Sequence, residues 1–374
     1  MIKSLKAVQL NRRMTFELSF HPDLNVVTGK NGSGKTTLLK LLWYVISGNL
    51  ERIIPEITFE SFDLVTDEFE VGMSIEGSGK QRIAKLRYRA GDFIKETERP
   101  FELSFDWDDL EITNREIVNT TSTSIFFPTF RRIEGGFSIP SRDEDSVRFN
   151  ARLRSRETSH YRADSEHNAL QRAMDQLSAR LTVQQHRFVA SISTHDIVRL
   201  LTSQYAEVSE TTNRLHMDLS NFILKTIRGV SGEESRHLLS EIQTRARSVT
   251  ERSELLLRPF TVLSGLIAQV FQYKGIKLAD PITLGEAREA IASDLLSAGE
   301  KQMLSFLCYN AFANQASIFI DEPEISLHVD WQRILFPLLL DQSTGNQFII
   351  ATHSPFIYSK FADKELALSS DRGE

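Results

Sequence analysis

The chain has 374 residues, 41% hydrophobic and 25% charged, with a formal net charge of −6. That size suits one large α/β head with an inserted lobe, or two domains. The acidic balance argues against holding long nucleic acid by charge alone, the single Cys308 excludes a disulfide framework or a C-x-x-C zinc hook, and no apolar stretch approaches the ~18 residues that span a bilayer.

Met1-Ile2-Lys3-Ser4-Leu5-Lys6 lacks the apolar core of a signal peptide, so a reducing cytoplasm is the expected location. Residues 2–10 and 14–20 read as two strands joined by a turn at Asn11-Arg12-Arg13. Leu24-Asn25-Val26-Val27-Thr28 is a short apolar run, readable as a buried strand. It leads into Gly29-Lys30-Asn31-Gly32-Ser33-Gly34-Lys35-Thr36, which fills every fixed position of the phosphate-binding loop G-x-x-x-x-G-K-[ST]. Thr37-Leu38-Leu39-Lys40-Leu41-Leu42-Trp43 follows with apolar residues at helical spacing. Gly29, Gly32 and Gly34 free the backbone to turn N–H groups toward phosphate, and the helix N-terminus adds favourable partial charge. Lys35 is expected to reach the β- and γ-phosphates of ATP, and the Thr36 hydroxyl to hold Mg²⁺. Asn31, Ser33 and Thr37 complete the expected nucleotide-contacting set.

Residues 62–107 alternate as strands broken by turns, for example Phe69-Glu70-Val71-Gly72-Met73-Ser74-Ile75 and Ile83-Ala84-Lys85-Leu86-Arg87-Tyr88. Ser124-Ile125-Phe126-Phe127-Pro128-Thr129-Phe130-Arg131-Arg132 begins as a strand and ends in two arginines. Residues 131–156 hold seven arginines against four acids and read as a mixed-charge solvated face rather than a nucleic-acid groove. Residues 150–275 turn polar and helical in period. Leu170, Met174, Leu177, Leu181 and Phe188 share one expected helical face, and Leu215, Leu219, Phe222, Ile223 and Ile227 mark another. A segment of that length makes a short lobe or hairpin, not a long coiled-coil arm.

Leu296-Ser297-Ala298-Gly299-Glu300-Lys301-Gln302 precedes an apolar helical run in which Cys308 reads as a small core residue. Ser297 can cap that helix, and Gly299 allows close backbone approach to phosphate. Ser317-Ile318-Phe319-Ile320-Asp321-Glu322 is an apolar strand ending in two acids, the Walker B pattern. Asp321 is placed to bind Mg²⁺ and Glu322 to orient or deprotonate the attacking water. Phe348-Ile349-Ile350-Ala351-Thr352-His353 is a further strand, whose terminal His353 can register a γ-phosphate. Glu365-Leu366-Ala367-Leu368 reads as a last edge strand.

Together, Gly29–Thr36, Leu296–Gln302, Asp321-Glu322-Pro323-Glu324 with Leu327-His328, and Ala351-Thr352-His353-Ser354-Pro355 resemble the ABC-type ATPases of the RecF, SMC and OLD-like group, in particular the AAA15/AAA21 branch. Leu296–Gln302 is similar to the ABC signature L-S-G-G-Q. The branch's D-E-P-E-x-x-L-H-P-x-x-Q stands here with Val329 for proline and Gln332 retained. The family's Q-loop glutamine has no clear counterpart. Either Arg131 or Arg132 contacts phosphate in its place, or both are surface residues beside the Gly135-Gly136 turn. Phe127–Gly136 also resembles ATPases of bacterial anti-phage defence, such as AriA of PARIS, PtuA of Septu and retron-associated ATPases.

The resemblance implies an α/β fold: an ABC-type P-loop ATPase head with an antiparallel β-subdomain and a helical insertion lobe. Residues 1–149 would form the first part of the head, 150–275 the lobe, and 276–374 the rest of the head. It implies ATP and Mg²⁺ as cofactors, and a homodimer or higher homo-oligomer in which Ser297 and Gly299 close onto ATP held by a second protomer. Little chain follows residue 365, so a TOPRIM or HNH nuclease is expected as a separately encoded partner of an anti-phage sensor or scaffold. A RecF-like DNA clamp and a very slow ATP-binding switch are the alternatives.

Overall fold

The computed structural model describes residues 1–77, 82–100, 108–129, 131–133, 173–227, 235–271 and 296–369. Its centre is a six-stranded parallel sheet in the order β10-β8-β12-β13-β3-β14. These strands are β3 (Leu24–Thr28), β8 (Ser124–Phe127), β10 (His186–Phe188), β12 (Ser317–Asp321), β13 (Gln347–Ala351) and β14 (Glu365–Ala367). Every residue of β3, β8, β12 and β13 is buried. A parallel sheet covered on both faces demands such unbroken apolar runs.

Alternate residues serve opposite cores. Val27, Phe126, Phe319, Ile349 and Ala351 face one cluster with α1 (Lys35–Ile46). Val26, Phe127, Ile318, Ile320 and Ile350 face the other, with α7 (Ala298–Ala311) and α8 (Val329–Asp341). Trp43 of α1 is fully buried and its ring stacks on Phe126 with centroids 5.5 Å apart. Cys308 is buried in α7, as its apolar surroundings require.

The first core is closed by an antiparallel sheet, β2-β1-β4-β5-β6-β7. It comprises β1 (Ile2–Leu10), β2 (Met14–Ser19), β4 (Ser61–Thr66), β5 (Glu70–Glu76), β6 (Ile83–Ala90) and β7 (Phe93–Pro100). Buried Gln347 stitches the sheets together: its side chain accepts from the Ile2 N–H at 2.8 Å and donates to the Ile2 carbonyl at 2.8 Å. Beyond α2 (Ile53–Glu56), α3 (Asp108–Thr120) packs near α1.

The expected helical lobe is present as α5 (Thr194–Ile227) and α6 (Ser235–Phe271), 34 and 37 residues long, or about 50 Å each. Tyr205 meets Phe260 and Phe222 meets Arg245, so the partner's number falls as the residue's own rises and the helices run antiparallel. The base of this hairpin rests on the α7 end of the head, with Phe260 against Phe312 at 4.9 Å.

One expectation is corrected. Met174, Leu177 and Leu181 do lie on a helix, α4 (173–181), facing the head core. Phe188 does not share their helix. It sits on β10, paired in parallel with Phe126 of β8. A short β9 (Arg132–Ile133) and β11 (Ser191–Ile192) form a two-stranded sheet nearby. Head structure therefore reaches into the expected 150–275 lobe. Leu170, Gly135-Gly136 and the arginines at 142–156 lie outside the described residues.

Candidate nucleotide site

The phosphate loop joins β3 to α1 at the carboxyl edge of the parallel sheet, where open α/β sheets collect ligands. Gly29, Gly32 and Gly34 have φ of 147°, 78° and 87°, a region other side chains seldom adopt. Gly34 is the N-cap of α1, so the loop hands over to the helix with Lys35 as its first residue. Asn31 and Gly32 are exposed, and Thr36 is exposed in the first turn of α1. The Ser33 hydroxyl is buried without a partner. Thr37 turns the other way, where its hydroxyl accepts from Asn11 of the β1–β2 turn at 2.8 Å.

Lys35 is buried across the loop. Its ammonium donates to the Gly29 carbonyl at 2.7 Å, the Lys30 carbonyl at 3.3 Å and His353 Nε2 at 2.7 Å. An ammonium has no acceptor, so His353 must present a bare Nε2 and be neutral. Burial and then the Lys35 charge hold its pKa below the ordinary imidazole value. Burial also lowers the Lys35 pKa, opposed by Glu322, Asp321 and Glu324.

Asp321 and Glu322 stand at the end of β12, between β8 and β13. One Asp321 oxygen, Oδ2, accepts from the Thr129 hydroxyl, while Oδ1 is buried without a partner. That orphan oxygen is the feature a cation would satisfy. Mg²⁺ characteristically takes one or two protein oxygens and fills its shell with water and phosphate, so Asp321 Oδ1 with the Thr36 hydroxyl fits it. Glu322 adopts φ 50° and donates its N–H to the Ala351 carbonyl at 2.8 Å. Burial, then Asp321 and Glu324, raise its pKa above the ordinary carboxyl value.

Several working side chains were not singled out from sequence. Glu324 accepts from the Thr352 hydroxyl at 2.9 Å and the His353 N–H at 2.7 Å, fixing the loop that carries His353. Gln332 accepts from the Ser354 hydroxyl at 2.6 Å and donates to the Leu327 carbonyl at 2.8 Å. Both belong to the D-E-P-E and Gln332 pattern, which was the available signal. Thr129 carried no such mark, and Arg131 was marked only as a phosphate contact or a surface residue. Arg131 is also a correction, because it neither faces solvent nor is free to meet phosphate. It is buried, and its guanidinium donates to the carbonyls of Pro128, Asp321 and Glu322. Arg132 lies on β9.

The signature segment begins α7. Ser297 and Glu300 cap each other reciprocally: Glu300 accepts from the Ser297 N–H at 2.6 Å and Ser297 from the Glu300 N–H at 3.4 Å. Ser297 is exposed, but Gly299 is buried, and a Cβ there would run into the Ser326 carbonyl. Its close approach is to the turn after Asp321. Gln302 adds a hydrogen bond to the Pro323 carbonyl at 2.8 Å. The structure thus brings Lys35, His353, Asp321 and Glu322 together, and packs Gly299 and Gln302 against the turn that follows Glu322.

The sequence profile of AAA_21, described as "AAA domain, putative AbiEii toxin, Type IV TA system", matches residues 24–359, from β3 through the end of the His353 loop. The chain belongs to the AAA_21 family. Among curated proteins this AAA_21 chain is similar to Endonuclease GajA of Bacillus cereus (strain VD045), 41% identical over 63 residues. That match covers 15% of the chain and 11% of the relative's length. Among solved structures it is similar to an Smc head domain with an extended coiled coil bound to the C-terminal domain of ScpA, from Pyrococcus furiosus, at 13% identity and a TM-score of 0.38, covering 100% of this chain and 94% of that one. A second, an SmcHead bound to the C-winged helix domain of ScpA, matches at 12% and 0.38, covering 100% and 95%. No helix among the described residues is long and apolar enough to cross a membrane.

Proposed function

We propose that this chain is a Mg²⁺-dependent ATPase that dimerises around ATP and governs a separately encoded nuclease, as in bacterial anti-phage defence. The observation that carries the reading is the convergence of Lys35 and His353, in direct contact, with Asp321 and Glu322 close enough to act on the Lys35 charge. Lys35 and the loop N–H groups would offset phosphate charge. Thr36 and Asp321 would hold Mg²⁺, whose chemistry is to neutralise charge on the β- and γ-phosphates. Glu322, desolvated and flanked by acids, would take a proton from water. His353, held by Glu324, would exchange Lys35 for the γ-phosphate. Exposed Ser297 would meet ATP on a second copy, with Gly299 bracing the helix behind it.

The nuclease partnership is supported by membership of a family described by a putative toxin and by the partial likeness to an endonuclease. Purified protein should hydrolyse ATP with Mg²⁺, and Lys35→Ala should remove most ATP affinity measured by calorimetry while preserving the melting transition. Unchanged binding in Lys35→Ala would remove the loop from the site. Co-purification with the product of a neighbouring gene, followed by nuclease assay with and without ATP, tests the partnership. Strong nuclease activity from this chain alone would refute it.

A further inference from the structure

Arg131 is buried beneath the acidic end of β12 yet forms its hydrogen bonds with carbonyls rather than carboxylates. The guanidinium donates to Pro128 O at 2.9 Å, Asp321 O at 2.7 Å and Glu322 O at 3.0 Å. In an extended strand successive carbonyls point to opposite sides. Here Glu322 has φ 50°, a conformation rare outside glycine, and that twist lets the carbonyls of Asp321 and Glu322 converge on one planar fork. The ring of Phe306, on α7, lies 5.5 Å from the guanidinium carbon. Burial draws the Arg131 pKa down to about 10, opposed by Asp321, Glu324 and Glu322.

Burying a cation without a bonded carboxylate is costly, and a direct ion pair is the usual compensation. A direct pair would occupy the oxygens that must meet metal and water. Bonding to the carbonyls leaves both side chains facing the site while the positive charge still offsets three crowded acids. We infer that Arg131 is a positioning residue for hydrolysis, holding the strained turn at Asp321–Glu322 so that the Glu322 carboxylate is aimed at the attacking water. The inference rests on the ATPase reading and adds to it a residue remote from any phosphate contact.

The test uses the full chain with Arg131→Lys, which keeps charge without the fork, and Arg131→Met, which keeps length without charge. Steady-state hydrolysis and binding of a fluorescent ATP analogue with Mg²⁺ are measured for each. Misaiming by a fraction of an ångström predicts kcat about 100-fold lower in Arg131→Met and about 10-fold lower in Arg131→Lys, with KM and nucleotide affinity within about threefold. A residue that acts through Glu322 also loses its effect when Glu322 is disabled. In single-turnover assays, adding Arg131→Lys to Glu322→Gln should therefore slow hydrolysis by less than about twofold. Full kcat in either folded variant overturns the inference while leaving the ATPase reading in place. So does a parallel loss of binding and kcat, which marks a general structural role, or full additivity with Glu322→Gln. No hydrolysis by the unaltered chain overturns the parent reading and this one together.

Discussion

Glu322 occupies a conformation that its own side chain does not favour. Its φ of 50° comes immediately after β12 ends at Asp321. Such strain persists only where surrounding bonds hold it, here the Ala351 carbonyl on one side and the Arg131 fork on the other. Glu322→Gln preserves shape and hydrogen-bonding length but cannot accept a proton. Hydrolysis should fall by at least about 100-fold while ATP binding stays near normal. Turnover at the ordinary rate would transfer the role of base to another group. At this scale the sequence was most readable where function depends on local spacing. Lys35 and Asp321 are recognisable because a glycine loop and a strand end place them. Arg131 was noticed but its role was misread, because it serves the backbone of Asp321, 190 positions away, and a carbonyl partner leaves no complementary residue type to notice.

At the scale of elements, α7 and the turn after β12 behave as one body. The Pro323 carbonyl takes a hydrogen bond from Gln302, Ser326 lies over Gly299, and Phe306 backs Arg131. Adding one methyl at Gly299 drives a Cβ into the Ser326 carbonyl, and backbone cannot step aside as a flexible side chain can. Gly299→Ala should cost about 1–3 kcal/mol in chemical denaturation, the usual scale of overpacking. An unchanged midpoint would mean that α7 stands off from the turn. The glycine was legible, and the structure adds a reason the signature did not suggest: it accommodates the neighbouring Ser326 carbonyl. The strand at β10 was hidden for a different reason. Only three residues long, it continues the 3.6-residue apolar rhythm of the preceding helix, and nothing local separates Phe188 from Leu181.

For the molecule as a whole, one buried group ties stability to pH. His186 is fully enclosed, with Ser124 Oγ 2.8 Å from Nδ1 and Thr121 Oγ1 3.2 Å from Nε2. Burial lowers its pKa from the ordinary 6.5 to about 4. The unfolded ring therefore takes up a proton first. Stability contributed by the neutral ring is complete above pH 6.5, is lost as pH falls toward 4, and changes no further below. The loss across that window is on the order of 3 kcal/mol. Urea titrations at pH 7.5 and 5 should show about 2 kcal/mol of it, and His186→Gln should flatten the difference. An equal pH dependence in both proteins would assign the acid sensitivity elsewhere. The two-sheet head was legible because apolar runs and alternating runs differ in period. The packing of the hairpin base on the α7 end of the head was not, since helical rhythm states which face is apolar and not what covers it.

Gln347 and Ile2, bonded to each other across the two sheets, are 345 positions apart in the chain. β3, which launches the phosphate loop, is flanked only by β13 and β14. During synthesis, the first strand of the site must therefore wait for the last. Until the ribosome has delivered residues 347–367, Leu24, Val26 and Val27 have no sheet neighbours, and the core that covers α1 lacks Ile349 and Ala351. A nascent chain in that state has the loop sequence but no edge of sheet to hold its shape. Contacts of such long range make folding slow. On the proposed reading, nucleotide binding is withheld until translation has passed β14.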